Sequence, residues 1–280
     1  MIKFFIDTLK RYGIVKYAIL TIILTFTLTS CGDPNSGGPE YFSDTMIISA
    51  GQSHTAAIKN DGTIWVWGKN YSGQLGNGES GYIEGTYNSK YSNIPVQLSA
   101  ADGPDGIPYK DYKWKTVSVG SSHTAAIRED NTLWAWGQNY YGQLGNGDGG
   151  MIEGTNNPKY SNIPIQLSAA NGPDGAPYRD YKWKAVSAKG GHTVAIRDDN
   201  TLWAWGRNSR GQLGDGSTGD KLTPVKVGDK WIEVSAGEVH TVAIKIDGVA
   251  WAWGSNDKGQ LGNAARTDSL TPVRVILSGW

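Results

Sequence analysis

Residues 235–263 read "SAGEVHTVAIKIDGVAWAWGSNDKGQLGN", one His, two Trp and a Gly-Gln-Leu-Gly tetrapeptide in a single short run. The same elements recur at 187–215, "SAKGGHTVAIRDDNTLWAWGRNSRGQLGD", and twice earlier. His54, His123, His192 and His240 are 69, 69 and 48 residues apart, and Gly73, Gly142, Gly211 and Gly259 open the four tetrapeptides at the same intervals. All 12 Trp fall on three repeat positions: Trp65, Trp134, Trp203 and Trp251; Trp67, Trp136, Trp205 and Trp253; Trp114, Trp183, Trp231 and Trp280. Self-similarity of this kind marks stacked units, each burying its apolar face against the next.

Inside a unit the apolar pattern has period two, the period of a strand. In "HTVAI", His192, Val194 and Ile196 share one face while Thr193 and Ala195 share the other. Trp203 and Trp205 share a face with Ala204 opposite, and Asp61-Gly62 and Asp247-Gly248 are hairpin signals. A third strand reads "KWIEVSAG" and a fourth "TPVKV". A four-stranded sheet with bulky and small faces stacks well on copies of itself. The expected architecture is therefore all-β, a β-propeller of about four four-stranded blades spanning 45–114, 115–183, 184–231 and 232–280. A closed ring is favoured over an open arc, with "TPVRVIL" at the carboxy end pairing with "TMIISAG" at residues 45–51.

The recurring pattern SAGxxHTxAI…GxxWxWGxNxxGQLG resembles the repeat of the regulator of chromosome condensation family across residues 45–280. The resemblance implies a β-propeller, often of seven blades, where this chain has four repeats. It also implies that His54, His123, His192 and His240, like Trp67, Trp136, Trp205 and Trp253, are structural, each His bonding within its own blade. Lys189 stands where Gly51, Gly120 and Gly237 stand in the other units, with Gly190 following to take the turn.

The amino end reads differently. Lys3, Lys10, Arg11 and Lys16 precede the apolar run Tyr17–Leu28, twelve residues long. That falls short of the roughly 20 needed to span a bilayer and suits a signal-peptide core, giving residues 1–30 as a leader. An uncleaved amino-terminal anchor helix is the alternative. Leu28-Thr29-Ser30-Cys31-Gly32 resembles the lipobox of bacterial lipoproteins, which implies a lipid on Cys31, the only cysteine in the chain. Residues 31–44, rich in Gly, Pro and Ser, read as a flexible tether. The expected location is the bacterial cell envelope, anchored to a membrane by that lipid. A formal net charge of zero offers no footprint for nucleic acid.

Chemistry-bearing motifs are scarce. Four His at one repeat position suggest a metal ring, but no Cys or carboxylate recurs beside them to complete a ligand set. Gly76-x-Gly78-x-x-Gly81 and its copies fit a dinucleotide fingerprint on paper, yet none opens a helix after a strand. No Ser/His/Asp set stands outside the repeat, so no catalytic residue and no cofactor are assigned and the chain is read as a non-enzyme.

Two near-identical inserts do stand out, in the first and second units. They carry Tyr82, Tyr87, Tyr91, Tyr109 and Tyr112, then Tyr160, Tyr178 and Tyr181, with Asp105 and Asp174 in turns. Tyrosine mixed with Asn, Ser and Gly is the chemistry of binding loops, so these residues are the expected contacts to a protein or glycan partner. Loops that merely cap blade edges are the alternative. The repeated "DGPDGxPYxD" is acidic enough to invite Ca²⁺ but lacks the Asp-x-Asp-x-Asp-Gly order of a known loop. The leading functional reading is a lipid-anchored binding or scaffold propeller. Guanine-nucleotide exchange on a small GTPase, implied by the family's founder, and an envelope hydrolase are the alternatives.

Overall fold

The computed structural model describes residues 44–276. The leader, Cys31, most of the tether and Trp280 lie outside them. Sixteen strands form four antiparallel sheets, each built from four consecutive strands. The first blade is β1 (Thr45–Ala50), β2 (His54–Lys59), β3 (Ile64–Lys69) and β4 (Tyr91–Gln97). The second is β5 (Trp114–Val119), β6 (His123–Arg128), β7 (Leu133–Gln138) and β8 (Tyr160–Gln166). The third is β9 (Trp183–Lys189), β10 (His192–Arg197), β11 (Leu202–Gly206) and β12 (Lys221–Gly228). The fourth is β13 (Trp231–Ala236), β14 (His240–Lys245), β15 (Ala250–Gly254) and β16 (Ser269–Arg274). Trp114, Trp183 and Trp231 open blades, one residue ahead of the unit boundaries set at 115, 184 and 232. "KWIEVSAG" thus starts the fourth blade, while "TPVKV" closes the third.

Local chemistry explains the central hairpins. Between β2 and β3 the Asp61 carboxylate accepts from the Thr63 N–H at 2.9 Å and its hydroxyl at 2.6 Å, and Gly62 between them has φ +80°. Asn131 and Asn200 take that left-handed position in the next two blades, which Asn tolerates better than most residues. Thr132 and Thr201 then accept from Trp134 Nε1 and Trp203 Nε1 at 2.9 and 2.8 Å, tying the turn to the core. The fourth blade has Val249 at this place, and Trp251 Nε1 is left without a partner.

Neighbouring blades are joined by one set of contacts, repeated three times. His54, His123 and His192 Nε2 meet the hydroxyls of Thr124, Thr193 and Thr241 in the following blade at 2.9, 3.0 and 3.0 Å. The carbonyls of Gln74, Gln143 and Gln212 each accept twice from that blade, from the same Thr and from Trp136, Trp205 or Trp253 Nε1. Ser49, Ser118 and Ser187 accept from the backbone N–H of Val119, Ala188 and Ala236. Trp136, Trp205 and Trp253 are fully buried in these joints. Each is worth roughly 4–6 kcal/mol of apolar transfer as an upper estimate.

Two expectations need correction here. The Nε2 bonds of His54, His123 and His192 run to the next blade and not within their own: position 54 lies on the face turned to the next blade, opposite its Thr. Nor does a mixed blade form: β1 and β16 are edge strands of two separate four-stranded sheets and do not pair with each other. The joint contacts also do not recur between His240 and Thr55. The described residues form a four-blade arc.

Candidate functional site

Each insert divides into two hairpins of opposite character. In the first blade the amino half is a short excursion between Gly81 and Lys90, closed by the Tyr82–Ser89 bridge and by the Lys90 N–H donating to the Gly81 carbonyl at 2.8 Å. It is anchored to the blade through the Gly81 N–H to the Tyr71 carbonyl and the Asn70 N–H to the Lys90 carbonyl. The second blade repeats this around the Met151–Pro158 bridge. Tyr82, Tyr91 and Tyr160 are exposed, and Tyr87 is 97% exposed. Asn156 holds the Tyr87 position in the second insert.

The carboxy halves are core. Tyr109, Tyr112, Tyr178 and Tyr181 are buried, which corrects their assignment as partner contacts. They flank 3-10 turns at Tyr109–Asp111 and Tyr178–Asp180 and pack edge-on against the following blade's Trp, Tyr112 with Trp134 and Tyr181 with Trp203 at centroid separations of 5.4 Å. Arg128 and Arg197 lie over the Tyr112 and Tyr181 rings, 3.8 Å from each centroid. Tyr112 donates to Asp105 at 2.6 Å, and Arg128 donates to the other oxygen of that carboxylate at 3.1 Å. Tyr181, Asp174 and Arg197 repeat the arrangement.

Asp105 and Asp174 are therefore also corrected: they clamp the hairpin instead of facing a partner. Burial raises the Asp105 pKa, but bonds from Tyr112, the Ile107 N–H and Arg128 outweigh it and leave the carboxyl below its usual value. The Tyr112 and Tyr181 hydroxyls are pushed up, first by burial and then by their Asp partners. Among the described residues no three His, Cys, Asp or Glu side chains gather as a metal site.

Between the two amino halves lies a groove of about 140 Å³, lined by Tyr71, Tyr82, Ile152, Asn157, Pro158 and Tyr160 among others. Tyr71 stacks obliquely on Tyr82 at 4.8 Å, and its hydroxyl donates to Asn157 Oδ1 at 3.4 Å. The Ser80 hydroxyl donates to the Tyr160 oxygen at 3.3 Å. These two bonds pin the base of the first insert to the second. Hydrogen bonding with Tyr82, then burial, raises the Tyr71 pKa.

The histidines are also neutral. Burial lowers His54 to about 4 and His123 and His192 to about 3. His240, half-buried at the end of the array, is lowered too by the same cause. Nε2 bonds to Thr make His54, His123 and His192 joint pieces.

Residues 37–279 match the RCC1-like domain, nearly all of the repeat region. This chain belongs to the RCC1-like domain family. It is 31% identical over 180 residues to the ultraviolet-B receptor UVR8 of Arabidopsis thaliana, covering 64% of this chain and 33% of the receptor. Among solved structures, human WBSCR16 superposes with a TM-score of 0.63 at 19% identity, covering 85% of this chain and 54% of that one. Prp20p of Saccharomyces cerevisiae gives 0.62 at 22% identity, with 85% and 52% covered. This RCC1-like chain thus spans about half the length of those propellers and a third of the receptor.

Within the domain, Tyr71, Asn157, Pro158 and Ile152 complete the groove although the sequence alone did not single them out. Tyr71 belongs to the WGxNxx stretch of the repeat, where only contact with the insert reveals its second use.

Proposed function

We propose that this RCC1-like domain is a binding module, displayed on a bacterial cell envelope through a lipid on Cys31, that takes a protein or glycan into the groove between its first two inserts. The observation that carries the reading is the cluster of Tyr71, Tyr82 and Tyr160 rings there, in a pair of inserts that also leaves Tyr87 almost wholly in solvent. Tyrosine faces stack on sugar rings or apolar side chains, and their hydroxyls adapt to either partner. The groove walls are tied to each other by the Tyr71–Asn157 and Ser80–Tyr160 bonds, so little ordering entropy opposes binding. A yeast protein of similar fold, Prp20, has been crystallised with Kap60 bound to it.

Two measurements test this. Replacing Tyr82, Tyr87 and Tyr160 with Ser should abolish retention of purified envelope glycans or envelope proteins, while Tyr140→Ser, at the matching place outside the groove, should not. Equal retention by both variants refutes the groove. Cys31→Ala should move the protein out of the membrane fraction, and unchanged membrane retention refutes the anchor.

A further inference from the structure

Each end of the four-blade array carries one half of the joint set that the three internal joints complete. The outer face of the fourth blade offers His240, the Ser235 hydroxyl and the Gln260 carbonyl, the places held inside the array by His192, Ser187 and Gln212. Around them Val242, Ile244, Ala250 and Val275 line an apolar groove. In the first three blades the matching groups, such as Ala56, Ile58, Val194 and Ile196, are fully enclosed by the next blade. The outer face of the first blade offers the complementary half: the Thr55 hydroxyl, the Ala50 N–H and the Asn93 carbonyl. Ile48, 65% exposed, takes the place of Val117, which is buried between the first and second blades.

We infer that a second copy of this chain covers each end: the first blade of one copy seats on the fourth blade of the other, and two copies close head to tail into one ring of eight blades. The occupant is specified by chemistry already present three times. His240 would meet Thr55, Ser235 the Ala50 N–H, Gln260 the Thr55 hydroxyl, and the Ala264 N–H the Asn93 carbonyl, as Gly78 N–H meets the Asn162 carbonyl at 2.9 Å. A ring of eight lies within the range of blade numbers that propellers adopt. A head-to-tail contact between identical chains either closes or grows into a filament, and two half-rings close.

The test uses the full chain with Cys31→Ser, so that introduced cysteines are the only thiols. Ala50→Cys and Ser235→Cys are placed on separately tagged chains. In the internal joints the corresponding backbone N–H and hydroxyl are 3.0 Å apart for Val119 and Ser49, so the two positions are direct neighbours across the joint. Mild oxidation should link the two tags, and sedimentation equilibrium should give two chain masses. Ile244→Asp, or separately Thr55→Lys, should weaken the dimer at least tenfold, with near-ultraviolet circular dichroism unchanged because neither side chain is fully enclosed in the single chain. Three results would overturn the inference. They are a single chain mass without cross-linking, an intrachain disulfide at high dilution when both cysteines sit on one chain, and a ladder of growing oligomers.

Discussion

The two halves of the first insert contain the same residue type in nearly the same polar company, yet they do opposite things. Tyr87 stands in solvent and Tyr112 is sealed in the core. The difference lies in what each ring finds within reach. Tyr112 meets the edge of Trp134, the guanidinium of Arg128 and the Asp105 carboxylate, so both its face and its hydroxyl are satisfied away from water. Tyr82 and Tyr71 find only each other and the second insert. Composition marks a loop as tyrosine-rich, but the cation and carboxylate beside each ring decide whether it is core or contact surface.

The largest expected effect comes from emptying the buried half. Tyr181→Ala removes a ring packed on Trp203 and leaves Asp174 and Arg197 without their shared partner, and about 3–5 kcal/mol of unfolding free energy should be lost. Urea titration followed by Trp fluorescence measures it. A loss below 1 kcal/mol would mean the hairpin is no more core than its exposed neighbour.

Overfilling the same place should come next. A Cβ on Gly172 would lie 1.9 Å from the Tyr181 oxygen and 3.2 Å from the Tyr178 ring, two side chains held in the core. Gly172→Ala should cost about 1–3 kcal/mol, whereas Gly154→Ala in the amino half, where the added atom meets nothing within 4 Å, should cost only the strain of a left-handed backbone. Equal losses would erase the distinction between the halves.

Acid separates both halves from the joints. Burial depresses His123 from 6.5 to about 3, so the folded state disfavours its protonation. The unfolded chain binds the proton first, and stability that is full above about pH 6.5 falls as the pH drops toward 3. The slope should be about 1.4 kcal/mol per pH unit for this residue. His123→Gln should flatten the decline between pH 6 and pH 4 by that amount. Asp105 and Asp174, held below the usual carboxylate range, release their hairpins only at lower pH. A stability profile flat from pH 7 to 4 would contradict the neutral-histidine joint.

Much of this was legible in the residues. The period-two pattern, the Asp-Gly turns and the fourfold Trp spacing lead directly to four-stranded blades. The His contact was not legible, because alternation places His54 and Thr124 on opposite faces of separate blades without saying which blades touch. Ring closure failed for a related reason: repeats specify joints between neighbours, and the ends obey no repeat. The burial of Tyr112 did have a signal, since Tyr112-Lys113-Trp114 alternates and puts Tyr and Trp on one face. Asp105, seven residues away and in a turn, had none. The groove depends on contact between two inserts 69 residues apart, and no local pattern encodes it.

The smallest expected effect on stability is the one that matters most for function. Tyr87 has no hydrogen bond to the blade, and in the second insert its place is held by Asn156, which shows that the backbone of this hairpin does not need a ring there. Tyr87→Ser should therefore shift unfolding free energy by less than about 0.5 kcal/mol, the range of surface changes away from special contacts. If the exposed half is the contact surface, the same substitution should still weaken partner binding, because truncating an aromatic anchor at an interface commonly costs more than 1 kcal/mol. Asn156→Tyr supplies the converse, a ring at the equivalent place in the second insert, and should strengthen binding without altering the fold. The comparison breaks if Tyr87→Ser lowers stability as Tyr181→Ala does, or if neither change at 87 nor at 156 alters binding by as much as twofold.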